Sequence, residues 1–267
     1  GVGRNLNALT IANLSWPQVA GLNATTITNL TTTQVATLTV SQIGALSTTE
    51  IGALTTTEIQ AFSTGQAGAL TATPLGHLTT TALNNLSVAQ LAALSTTQAQ
   101  GLATTQLNAL TTANLDAVDL TRLATRQVAG LTTTAIANLT TTQVGTLAAT
   151  QVAALAAEQI GALTSTEIQA FTTTQAGALT TRQLSNLTTT ALNKLSTTQL
   201  AALTPTQAGA LIAAQVGSLT TTALNSLSTT QIAALSTAQA QGLTTGQLNA
   251  LTTANLDAVG LTRLTAN

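Results

Sequence analysis

The chain contains no cysteine, methionine or tyrosine, and its aromatic residues are Trp16, Phe62 and Phe171. Without Cys there is no thiolate nucleophile and no Cys-based metal site, and so few rings leave almost no platform on which bases could stack. Charge is equally scarce, with 6 Lys or Arg and 7 Asp or Glu among 267 residues and a net charge of −1. No basic patch is available to neutralise phosphates, which argues against a nucleic-acid partner, and no acidic run exists to solvate a tail. Nowhere do ~18 apolar residues follow one another, so no membrane-spanning helix is expected. An initiator Met, a basic n-region and a signal-type apolar core are also missing, as in a processed chain or a piece of a larger one.

What remains is a chain that is 44% hydrophobic, enough apolar surface to bury a core. The apolar residues recur with a period of eight. From Leu22 to Ala117 the sequence divides into 12 octads such as LTTTQVAT, LSTTEIGA and LSTTQAQG, and from Leu131 to Ala258 into 16 more. Two thirteen-residue segments, Leu9–Gly21 and Val118–Gly130, interrupt the count. A degenerate octad at Gly1–Ala8 and a partial interruption at Val259–Asn267 complete the chain, which reads as one continuous repeat array over residues 1–267. The consensus is Leu, Thr/Ser, Thr, Thr/Ala, Gln/Glu, an aliphatic residue, a variable residue, then Ala, Gly or Asn.

A longer period is superimposed. The position-six aliphatic shrinks to Ala at Ala67 and Ala99, and again at Ala176, Ala208 and Ala240, each time four octads after the last. Phe62 matches Phe171 and Leu14 matches Leu123 at one offset, whereas Asn114 matches Asn255 at an offset longer by one such four-octad unit. A pattern that survives the gain of whole units is the mark of a quasi-one-dimensional stack.

Apolar positions one, six and eight have mixed parity and cannot share one face of a strand. Eight residues at 3.6 per turn overshoot two turns by ~80°, so one straight helix would spiral its Leu side chains out of register. One short helix per octad resolves both conflicts. Thr or Ser at position two serves as N-cap and Gln or Glu at position five as N3, the capping box, as in Ser47 with Glu50, Thr55 with Glu58 and Thr164 with Glu167. Pro205, Pro17 and Pro74 then fall at N1, N2 and N3, where a missing N–H breaks no intrahelical bond. Gly at positions seven and eight is expected to help the chain turn. Helices this short form only by stacking. The sequence therefore predicts an all-α solenoid of one-to-two-turn helices, with about four octads per superhelical turn, and a β-solenoid as the alternative.

Side chains with chemistry are few. His77 has no second His or Cys with which to share a metal, and reads as an edge histidine. Asp116, Asp119, Arg122 and Arg126 crowd the central interruption, with Asp257 and Arg263 at the last one. Calcium would need six to eight oxygens at a recognisable spacing, so capping of an irregular joint by ion pairs is the better reading. Glu50, Glu58 and Glu167 fit N3 capping better than acid/base work, and Glu158 fits the first turn of its helix. Asn13, Asn29, Asn85, Asn138 and Asn186 each open an Asn-Leu-Thr/Ser tripeptide, a consequence of octad phase. Trp16 is expected to plug the stack, with anchoring of a partner as the alternative. No catalytic, cofactor-binding or metal-ligating residue is assigned, and no enzyme activity is expected.

At LTTTQVAT, LSTTQIAA and LTTTALNS the chain resembles the LTTxQIxAL arrays of very large bacterial surface or secreted proteins, the adhesin-like or haem-utilisation/adhesion type. The resemblance covers nearly the whole chain in repeat consensus alone and transfers no site residue. It implies a structural role outside the cell or on its surface: a filament or stalk segment that self-associates homopolymerically or end to end, with a cell-surface glycan as a further partner. The alternative is a Thr-rich module that binds a lattice such as ice, or a glycan.

Overall fold

The computed structural model describes residues 10–264, and the octad expected at residues 1–8 lies outside them. Every regular element among the described residues is helical, from Trp16–Ala20 to Thr253–Val259, and none exceeds seven residues. The β alternative is thereby excluded for the described residues. The chain divides into two compact units, with the boundary between Leu131 and Thr132.

Each octad folds as its consensus directs. In Leu94–Gly101, Ser95 is the N-cap in extended conformation and the helix runs Thr96–Gly101. Ser95 N–H donates to Gln98 Oε1 at 2.8 Å, while Gln98 N–H donates to Ser95 Oγ at 3.4 Å. The next Leu ends the helix: Leu102 N–H donates to Ala99 O at 3.2 Å, a tightened last bond, and Leu102 itself turns extended at φ −66, ψ 135. The bend between helices is thus made at Leu without left-handed backbone. Among the described residues the only positive φ is at Gly260, so the glycines of positions seven and eight do not turn the chain as expected.

Their work is close approach. A Cβ on Gly101 would lie 2.6 Å from the Cβ and O of Ala72, one coil turn earlier, and one on Gly242 would lie 2.9 Å from Ala213 O. Only glycine lets those backbones meet. The prolines stand where the spacing places them: Pro205 opens Pro205–Gly209, Pro17 is second in Trp16–Ala20 and Pro74 third in Ala72–Gly76.

Leu at position one and the aliphatic of position six form the interior, as in Ile51, Leu83, Val152 and Leu224, all at 0% exposure. The coil closes faster than the sequence period implies. In the first unit Thr48–Ala53 packs on Ala72–Gly76, which packs on Thr96–Gly101; in the second, Pro205–Gly209 packs on Thr229–Ala233, which packs on Thr253–Val259. Each helix therefore meets the third one along, giving three octads per turn instead of four. The four-octad period has another origin, described below.

The interruptions are also simpler than wholly irregular segments. Val118–Arg122 is a pentad holding a 3-10 turn at Leu120–Arg122, followed by an ordinary octad, Leu123–Gly130, with its helix at Thr125–Ala129. Likewise a 3-10 turn at Ile11–Asn13 precedes the octad Leu14–Gly21, and one at Leu261–Arg263 follows Val259. A pentad takes the place of one octad and shortens that turn accordingly.

Candidate functional site

The polar chemistry of the molecule is concentrated between turns of the coil, on the glutamine of position five. Its Oε1 closes the capping box of its own helix. Its Nε2 points the other way, to the helix end one turn back. Gln98 Nε2 donates to Leu70 O at 2.7 Å and to Ala67 O at 3.1 Å; Gln183 Nε2 reaches Leu155 O at 2.7 Å and Val152 O at 2.8 Å; Gln231 Nε2 reaches Leu203 O at 2.7 Å and Leu200 O at 3.0 Å. The separations are 28 and 31 residues, position one and the position six before it. After the central pentad they shorten to 25 and 28, where Gln127 Nε2 reaches Leu102 O and Ala99 O. One buried amide thus satisfies an orphan donor at one helix start and the position-one carbonyl at another helix end, and gives the position-six carbonyl there, which already accepts from the following Leu N–H, a second bond. We call this arrangement the clamp.

In the pentads arginine takes over. Arg122 Nη1 donates to Leu94 O, and Arg263 Nη1 to Leu235 O and Ala233 O at 2.9 Å each. Asp119 holds Arg122 at 2.9 Å and accepts from the Thr121 hydroxyl at 2.6 Å. Its carboxyl is held below the ordinary Asp value, chiefly by that Thr121 hydroxyl bond, with burial opposing it and the Thr121 N–H and the Arg122 guanidinium adding to it.

In several octads whose position five is Ala or Asn, the clamp is replaced by an asparagine at position seven, four octads earlier. Asn193 Nδ2 donates to Ser218 O at 2.8 Å and its Oδ1 accepts from Thr220 N–H, the N-cap of the octad with Ala223 at position five. Asn225 does the same for Ala250 O and Thr252 N–H, in the octad with Asn255 at position five. Asn84 serves Ala109 O and Thr111 N–H, in the octad with Asn114. This pairing joins each such octad to the fourth one along, and it supplies a physical reason for the four-octad period on a three-octad coil.

The remaining candidates are placed as follows. Glu50, Glu58 and Glu167 are buried in clamp positions and accept from the N-cap N–H of Ser47, Thr55 and Thr164 at 2.6 Å. A carboxylate has no N–H for the carbonyls one turn back, and Glu50 Oε1 is buried without a hydrogen-bond partner. Glu158 lies in the first turn of Ala157–Ala162, 3.7 Å from exposed Arg182. His77 is an exposed helix C-cap. Among the described residues no three His, Cys, Asp or Glu come together as a metal site would require. Asn29, Asn85 and Asn186 donate from Nδ2 to the carbonyls four residues back, at Thr25, Thr81 and Arg182, and so finish their own helices. Trp16 is 59% exposed, so it does not plug the stack: it occupies position three, which lies on the outer side of most octad helices.

Half of the clamp is legible in the sequence. The capping box is local, whereas the donor half reaches back a whole turn of the coil. One sign of it exists: Gln outnumbers Glu at N3, although a carboxylate suits the positive helix start better, so the position must need a donor as well.

This is a repeat protein built on octapeptide units. The ALTTAQ repeat family model matches residues 152–189, 177–213 and 213–245, consecutive stretches of the second unit. No curated protein sequence matches the chain. Among solved structures, a leucine-rich repeat-containing protein from Legionella pneumophila is similar at 12% identity, with 100% of this chain and 97% of that one covered, at a TM-score of 0.18. No helix among the described residues is long and apolar enough to cross a membrane.

Proposed function

We propose that the chain is a structural segment of an extracellular or cell-surface filament or stalk, one continuous array whose work is to span distance and to associate with further copies, without enzymatic activity. The observation that carries this reading is the clamp. It uses a main-chain carbonyl and a side chain found in most octads, so any turn accepts the next by the same bonds and the array extends without a new interface. Several charged side chains take structural parts in it: Glu50, Glu58 and Glu167 accept from N-caps, and Arg122 and Arg263 donate to carbonyls one turn back. A nearly uncharged surface adds little repulsion between neighbours. Negative-stain electron microscopy over a concentration series tests it. Extended particles that join laterally or end to end are expected, and compact particles at every concentration would overturn it.

A second reading, a Thr-rich lattice- or glycan-binding module, draws on one observation. Capping consumes only position two, and Thr32 and Thr33, Thr56 and Thr57, and Thr80 and Thr81 face outward or partly so on octads that stack one per turn, with no charged side chain pointing out among them. Thermal hysteresis, or retention on insoluble polysaccharide, by a monodisperse protein would favour it.

A further inference from the structure

We infer that one side of the first unit is a pairing surface for the same side of a second copy, antiparallel. The inference deepens the self-association in the function proposed above and rests on it. The octads beginning at Leu14, Leu38, Phe62 and Leu86 stack directly, helix Trp16–Ala20 on Val40–Gly44, that on Thr64–Ala69, and that on Val88–Ala92. Position three therefore runs Trp16, Val40, Thr64, Val88 up one side. Trp16 is 59% exposed and Val40 and Val88 are 53% exposed each. They are three of the five large apolar side chains exposed among the described residues, and no charged residue occurs in these four octads.

The fold does not require them. The corresponding octads of the later copy, at the offset that relates Phe62 to Phe171, place Thr125, Ala149, Thr173 and Thr197 at the same position and form short helices at the same places. The stripe is thus an addition to one unit.

Its relief suits a twofold partner. A Cβ on Gly65, beside Thr64, would meet only Val40 Cγ2 at 3.7 Å and Ser63 Oγ at 3.8 Å, so the third step of the stripe is a notch. An axis midway between the second and third steps puts Val40 of each copy into the notch of the other and Trp16 against Val88. A parallel pairing in register would set Val40 against Val40 and leave the notch empty. Identical self-complementary patches are the requirement for a closed pair. Four helices at ~8–10 Å spacing give a strip ~40 Å long, and a helix with its corner ~15 Å across. That is about 600 Å² per copy, close to the lower bound of stable interfaces at about 1,200 Å² in total, so the pair should be concentration-dependent.

Trp16, the single tryptophan, reports on it directly. From low micromolar to near-millimolar protein, its emission should move to shorter wavelength and its quenching by acrylamide should fall, in step with dimerisation by sedimentation. Val40→Thr with Val88→Thr should abolish both changes and leave far-UV circular dichroism unaltered. In a chain without cysteine, a Val40→Cys chain mixed with a Thr64→Cys chain should cross-link into a heterodimer, whereas Val40→Cys alone should not cross-link. A monomer throughout, or association indifferent to the Val→Thr pair, would overturn the proposal, as would a blue shift produced by lipid vesicles on a monomeric chain. Efficient cross-linking through Val40→Cys alone would overturn the antiparallel register. Filaments that persist in the Val→Thr variant would remove this surface while leaving the proposed function standing.

Discussion

Glu50→Gln should stabilise the protein. The side chain is 3% exposed, its Oε2 accepts from Ser47 N–H at 2.6 Å, and its Oε1 has no partner. In Gln98, Gln183 and Gln231 the second terminal atom is an amide nitrogen that donates to carbonyls 28 and 31 residues earlier, which for position 50 are those of Leu22 and Val19. The substitution is isosteric, so packing is unchanged. It replaces an orphaned acceptor by a donor with one or two waiting carbonyls, each such bond contributing ~0.5–1.5 kcal/mol net, for a gain of about 1–3 kcal/mol. Gln98→Glu is the reverse experiment, losing the bonds to Leu70, Ala67 and Gly68 at a cost of about 2–3 kcal/mol. Because a stack of this kind can open locally, native-state hydrogen exchange at Thr48–Ala53 and at Leu22 should accompany urea unfolding followed by circular dichroism. If Glu50→Gln is neutral or destabilising while Gln98→Glu costs nothing, the clamp contributes no stability and the argument for modular extension fails with it.

The asparagine substitute gives a coupled test. Asn193→Ala strands Thr220 N–H and Ser218 O and should cost about 1–3 kcal/mol; adding Ala223→Gln, which restores a capping box to Thr220, should recover much of it, a non-additivity measurable by a double-mutant cycle. Gly101→Ala forces a Cβ to 2.6 Å from Ala72 and should destabilise by about 1–3 kcal/mol, whereas Gly161→Ala, with nothing within 4 Å in the helix Ala157–Ala162, should raise the melting temperature slightly. Asp119 is held below its ordinary range, so its contribution is present above the unfolded Asp value and is lost as pH falls through the lower folded one. With side-chain exposures of 36% and 40% for Arg122 and Asp119, the pair is screened, and Asp119→Asn should flatten that acid limb by less than about 1 kcal/mol.

Local features of the sequence translate directly into structure. The hydroxyl at position two, the Gln or Glu three residues on and the three prolines each act within one turn of helix, and each helix start lies where they place it. Features that depend on partners in other turns do not translate. The four-octad spacing reads as a coil turn until Asn193 is seen reaching Thr220, and only then does a three-octad turn with four-octad pairing make sense. Leu14–Gly21 and Leu123–Gly130 carry Leu, Gln and Val at positions one, five and six, yet the preceding pentad displaces them from phase and conceals two ordinary octads. Trp16 departs from expectation because a large apolar side chain is normally interior, while its position in the octad, three, is the better guide.

The clamp bonds join one turn of the coil to the next, so a tensile load along the stacking direction falls on them in series. Turns should then peel away singly, each releasing three octads of chain that extend to ~80 Å, and each re-forming when slack returns. In the stalk proposed above, yielding would come in small steps instead of one break, and the octads with Glu50, Glu58 and Glu167, lacking the amide, would mark where it begins.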